Sequence, residues 1–283
     1  MAKKTIFYAI GTILCLAGLA LVLAFTNTTL NLIGGGLMLL GAVLGLMFTH
    51  APTIAWRELS SFFVSPIAYI LMAAYLIIVA YFFNVGIQGS GRAQMEQTFV
   101  IMTWLSLFIC PVITMRLLAE EARLGTLETM VTAPITDFEL TIGKFIGAFL
   151  FYLMLNAPTL VFVYVLSRGA SPDYGTIIAS YVGLILFGAM LISAGLLISA
   201  FTKNQVIAAF VSFVATFLLF FVGIMGRGMS GAPGKVVSYI GAATHYMDFT
   251  RGIVISQHVL YYVSLSVFFL FLTVRAVESH KWR

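Results

Sequence analysis

The run TIIASYVGLILFGAMLISAGLLISAF, Thr176 to Phe201, contains no charged side chain. At about 1.5 Å of rise per residue a helix of this length crosses a hydrocarbon core of about 30 Å. Its apolar residues do not alternate, so it is not a barrel strand, and a soluble helix would need a polar face. Working outward, further apolar segments of spanning length lie at about 6–25, 30–48, 66–86, 98–118, 144–167, 205–225 and 258–275, which with 176–201 makes eight expected spans.

Composition agrees with this reading. The chain is 61% hydrophobic and 9% charged, with a mean hydropathy of +1.06. Asp, Glu, Lys and Arg together are too few to coat a soluble core, so lipid is the solvent for most of the surface. The expected fold is therefore all-α, a polytopic transmembrane helical bundle. Lys3 and Lys4 before the first apolar run also describe a signal peptide, but the run is long for one and no small-residue cleavage site follows.

Orientation follows from the placing of Lys and Arg between spans. Lys3, Lys4, Arg57, Arg116, Arg123, Lys144, Lys203, Arg275, Lys281 and Arg283 fall on one side, and Arg92, Arg168, Arg227, Lys235 and Arg251 on the other. The richer side is expected in the cytoplasm, with both termini. No clustered basic face suggests nucleic acid. Cys15 and Cys110 sit in separate spans and read as small apolar packers.

Residues 1–50 form an expected additional hairpin, with Gly41 and Gly45 as a close-packing step. From Thr53 to Phe63, Ala55, Trp56, Leu59, Phe62 and Phe63 share one helical arc and Arg57, Glu58, Ser60 and Ser61 the opposite one. This predicts an interfacial helix with its charged arc in water. Ser65 and Pro66 suit the start of the next span.

The loop Arg116 to Lys144 holds Glu120, Glu121, Glu128, Asp137 and Glu139, half of the chain's ten acids. The preceding span is predicted to continue as helix to Leu124, with Gly125 in a left-handed cap. Thr126 can cap a second short helix that Pro134 stops. Thr136 and Glu139 have capping-box spacing, so the next span begins there. The charge of this loop is expected to face the cytoplasm and to meet a partner.

Three segments carry a family resemblance. PVITMRLLAEEARLGTLETMVTAPITDFELTIGKFIGAF (Pro111–Phe149), WRELSSFFVSPIAYI (Trp56–Ile70) and HYMDFTRGIVISQHVLYYVSLSVFFLFLTVRAVESHKW (His245–Trp282) resemble type-2 ABC exporter permeases. The resemblance is to the subgroup of the gliding-motility permease GldF and the copper-site maturation permease NosY, and it spans about residues 52–283. It implies a six-span core over 51–283 in a prokaryotic inner membrane. That core would form one half of a permease dimer, with an identical or related second chain, each half on an ATP-binding subunit and an extracytoplasmic accessory protein as a further partner. On this reading 53–63 is the elbow helix, with Trp56, Arg57 and Glu58. The loop 116–143 includes the coupling helix, with Glu120, Glu121, Arg123, Gly125, Thr126 and Glu128. The loop 226–257 forms short helices at the outer leaflet.

No phosphate-binding loop exists, since Gly143-Lys144 is followed by Phe145 and Gly234-Lys235 by Val236. ATP and magnesium are thus expected on another chain, with no cofactor and no metal on this one. His245 and Asp248 stand at i, i+3, and the expected role is local capping or a pair between Asp248 and Arg251. A membrane-embedded enzyme using them is a weaker alternative, as is a scaffold that uses the same ATPase without moving a solute. Asn156 and Pro158 suggest interhelical bonding and a bend, or a lining of a transport path.

Overall fold

The computed structural model describes residues 50–90, 95–125, 135–169, 172–228 and 231–279. All of the expected hairpin of residues 1–50 except His50 lies outside these, Gly41 and Gly45 included, as do Thr126 and Glu128. Every regular element among the described residues is a helix. In chain order they are α1 (Ala51–Val64), α2 (Pro66–Ser90), α3 (Glu96–Thr114), α4 (Ala119–Leu124), α5 (Asp137–Asn156), α6 (Leu160–Gly169), α7 (Tyr174–Ala200), α8 (Gln205–Arg227), α9 (Ala232–Ile240), α10 (Ala242–Thr250) and α11 (Ser256–Ser279).

Six helical stretches are long and apolar enough to span a membrane: Pro66–Ile87, Glu96–Leu124, Asp137–Arg168, Tyr174–Ala200, Gln205–Gly226 and Ser256–Ser279. Each overlaps one of the later six predicted segments. Their outward faces carry exposed Ile70, Ile77, Phe210, Leu218, Val267 and Phe271. A surface this apolar suits lipid.

The charge-free run that opened the reading becomes the centre of the bundle. Helix α7 packs against α3, α5, α8, α10 and α11, and every residue from Met190 to Leu196 is buried. A helix apolar all round takes this position because no face of it gains from water. Side chains enter its glycine notches, since a Cβ at Gly183 would meet the Phe249 ring and one at Gly188 the Tyr152 ring.

Local rules fix several helix starts. Asp173 accepts from Gly175 N at 3.0 Å to start α7, and Asn204 accepts from Val206 N at 2.9 Å to start α8. Thr136 and Glu139 form the expected capping box at α5. The bend at Pro158 also occurs, as a single 3-10 turn, Ala157–Thr159, between α5 and α6. Proline has no N–H to give and its ring crowds the preceding turn, so the α-helix is interrupted there.

One expectation needs correction. The fourth of the eight expected spans does not run unbroken to Leu124, because the helix opens into a turn at residues 115–118 before α4. Tertiary partners hold it open. Ser199 Oγ of α7 accepts from Leu118 N at 3.2 Å and Ala119 N at 3.0 Å, while Lys144 Nζ of α5 donates to Leu117 O at 2.6 Å. Backbone groups satisfied this way do not need the helical ladder.

Candidate functional site

Helix α1 lies along the first half of α5. The contact runs over Gly143 and Gly147, a small-xxx-small step where a Cβ would come within 2.8 Å of Ala51 O and of Ala55 O. Backbone rather than flexible side chain sits in the way, so the two helices approach this closely only with glycine. Both ends of the contact are also tied, for His50 N donates to Glu139 Oε1 at 3.1 Å and Phe62 stacks on Phe151 at 4.7 Å.

This approach carries Glu58 to Lys144. Lys144 is fully buried, and its Nζ lies 2.9 Å from Glu58 Oε1 and 2.7 Å from Glu121 Oε1. Arg57 Nη2 reaches the same two oxygens at 3.2 and 3.1 Å. Two cations and two carboxylates thus form one compact cluster shared by α1, α4 and α5. Its charges cancel, which is what makes burial of the ammonium tolerable.

The cluster revises the sequence reading in two respects. Glu58 was expected on a solvated arc and instead points into protein, its side chain 12% exposed. Glu121 was expected to display charge to a partner and is held by Lys144 and Arg57 of its own chain. Trp56, on the expected apolar arc, is 45% exposed. Lys144, counted only as a loop charge, is the centre of the site. The step Gly143-Lys144-Phe145-Ile146-Gly147 was the available signal, because it places a cation between two close-packing glycines.

Among the described residues, the other expected coupling residues are Glu120, Arg123 and Gly125. Glu120 meets Arg116 at 3.7 Å, and Arg116 lies 5.1 Å over the Phe62 ring. Arg123 and Leu124 are exposed, and Gly125 has φ 73°, the left-handed cap that was expected.

In mid-bundle, Asn156 is buried and joins two helices. Tyr75 of α2 donates to its Oδ1 at 2.5 Å, while its Nδ2 donates to Tyr152 O at 2.8 Å. An apolar cavity of about 390 Å³ adjoins it, lined by Tyr152, Asn156, Leu160, Tyr181 and Ile185 among others. Pro158 shapes the bend beside this cavity.

At the opposite end from α4, helices α9 and α10 form a cap on the bundle. Gly223 of α8 and Gly241, between α9 and α10, are in backbone contact, and Tyr262 of α11 donates to Ala242 O at 2.8 Å. The expected pair of Asp248 with Arg251 is replaced, since Asp248 Oδ2 meets His258 Nε2 at 2.7 Å. His258 Nδ1 lies 2.7 Å from His245 Nδ1, and His245 Nε2 lies 2.8 Å from Tyr239 O. Arg251 lines a separate cavity of about 280 Å³ with Glu96, Asp173 and Thr176. Among the described residues no group of three or more His, Cys, Asp or Glu side chains could hold a metal ion.

Six apolar spans among the described residues, one of them the buried central α7, define a multi-pass helical membrane protein. The family of ABC-2 transporter proteins matches residues 84–276, well over half of the sequence, and the chain belongs to that family. It is thus a membrane permease subunit of an ABC transporter, and membership implies an ATP-binding partner in general terms. No curated protein matches the sequence.

Proposed function

We propose that this chain is the permease of an ABC exporter, of the GldF/NosY-like subgroup, whose work is mechanical. ATP and magnesium bind the partner, and the permease itself does no bond chemistry and carries no cofactor. The assembly sits in a prokaryotic inner membrane with the α4 end in the cytoplasm, the side favoured by ten Lys and Arg against five. It pairs with a second, identical or related, permease chain.

The observation that carries this reading is the Lys144 cluster. A push on α4 from an ATPase would reach α5 through Lys144 and α1 through Glu58 and Arg57. It would reach α7 through Ser199. A short helix tied to three others transmits displacement, whereas a solvated loop would absorb it. Glu120, Arg123, Gly125, Thr126 and Glu128 supply the surface that the ATPase meets. Asn156 and Pro158, beside the mid-bundle cavity, line the path that the movement opens.

The test is co-purification with the ATPase and measurement of its stimulation. Arg123→Glu, Glu128→Ala and Gly125→Val should weaken both while the permease inserts and melts as the parent does. Three variants that bind and stimulate normally would remove the coupling role. Normal stimulation with no solute moved into inverted vesicles would favour the scaffold.

A further inference from the structure

The chain of contacts Tyr239 O, His245, His258, Asp248 sets a proton count. A carbonyl only accepts, so His245 Nε2 carries the proton and donates to Tyr239 O. In the neutral ring His245 Nδ1 is then an acceptor, and His258 Nδ1 donates to it across 2.7 Å. The other His258 nitrogen faces the Asp248 carboxylate at 2.7 Å. A neutral His258 would set a lone pair against that carboxylate. Both contacts are made at once only if one extra proton is present, shared along His245, His258 and Asp248.

We propose that His245, His258 and Asp248 form a single-proton binding site that latches the cap, joining α9 and α10 to α11. The bound proton is the ligand, and its loss or the gain of a second one releases the latch. Removing it leaves lone pair against lone pair at one of the two 2.7 Å contacts. A second proton, on His245, sets N–H against N–H and cation against cation.

The other groups facing the site are Lys235 and Tyr239 from α9 and Tyr261 from α11. Tyr261 stacks on His245 at 4.0 Å and donates to Ile240 O, so its hydroxyl is engaged on the same seam. Lys235 repels a second positive charge. Burial pushes the His245 imidazole down from its ordinary value, and His258 acts in the same direction. The sign is therefore fixed for the acid side. His245 contributes in full above the ordinary histidine range, and that contribution is lost as pH falls through its lowered value. Loss of the shared proton leaves one of the two 2.7 Å contacts unmade.

The arrangement is neither a wire nor a catalytic triad. A proton passed toward Tyr239 ends at a carbonyl, and both His245 nitrogens are already occupied. The site opens to solvent through a cavity of about 310 Å³ lined by Lys235, Ser238, Thr244 and Asp248 among others. Protons therefore exchange with the site through this opening.

The test is hydrogen–deuterium exchange of peptides covering residues 232–250 in the full chain, corrected for intrinsic rates, between about pH 5 and 9. Protection should peak between the limits and fall on the order of tenfold toward each. Asp248→Asn should abolish the alkaline fall, because an amide N–H satisfies a neutral His258 and no extra proton is needed. Flat protection in the parent, or an alkaline fall as steep in Asp248→Asn, would overturn the proposal. If that variant does not fold, ¹⁵N spectra of the histidines decide, recorded with His50 and His280 replaced by Asn. Three of the four ring nitrogens of His245 and His258 protonated at neutral pH support the latch, and only two protonated overturns it.

Discussion

Lys144 Nζ lies 2.7 Å from Glu121 Oε1, a pair that joins the first third of a spanning helix to the short helix at the end of its neighbour. The ammonium is buried, and Glu58 from a third helix completes its coordination at 2.9 Å. Stability of this end of the molecule and posture of α4 are therefore the same problem.

Lys144→Met should remove the buried cation and leave Glu58 and Glu121 facing Arg57, itself half exposed. Removing one partner of a buried ion pair costs about 3–5 kcal/mol. A correspondingly large drop in thermal midpoint in detergent is expected. Adding Glu58→Gln and Glu121→Gln should recover most of it, since the one charge then left in the cluster, Arg57, is half exposed to solvent. A midpoint unchanged by Lys144→Met alone would show that the cluster is not formed in solution.

Glu120→Ala provides the contrast. Its pair with Arg116 is 3.7 Å long and its side chain 35% exposed, so about 1 kcal/mol or less is at stake. Its midpoint should stay close to the parent's, while Glu121→Gln should lower it distinctly. Equal effects in the two variants would contradict the burial difference.

Gly147→Val should separate α1 from α5, because the new side chain meets Ala55 O and Glu58 Cβ. Overpacking of this kind costs about 1–3 kcal/mol. A disulfide engineered between α1 and α5 should form readily in the parent and slowly in the variant. Equal rates would mean that the close approach is not maintained.

Asn156→Leu should strand the Tyr75 hydroxyl in the bundle and cost about 1–3 kcal/mol. Combining it with Tyr75→Phe should be milder than Asn156→Leu alone, because no buried donor is then left unmatched. A double variant with the summed loss of the two singles would show that these residues do not interact.

Orientation can be read by labelling single cysteines with an impermeant thiol reagent in a Cys-free background. A cysteine at Gln257, exposed at the cap end, should react from outside, and one at Ser60 should not. The reverse pattern would invert the topology and place α4 beyond reach of a cytoplasmic ATPase.

The sequence by itself determined the helical membrane class, the approximate limits of six spans, the capping box at Thr136 and Glu139, the bend at Pro158 and the left-handed Gly125. Each depends on hydropathy summed along a window or on groups within about four residues of one another, so the information is local. Only the tertiary structure decided that Lys144 gathers Glu58 and Glu121, that Ser199 opens the turn before α4, and that Asp248 takes His258 instead of Arg251. Those partners sit on different helices, and which of them meet depends on the register of packing. Gly143 and Gly147 permit that register between α1 and α5, and the notches of α7 permit it at the core. A charge on a helix surface looks the same in sequence whether water or a second helix faces it.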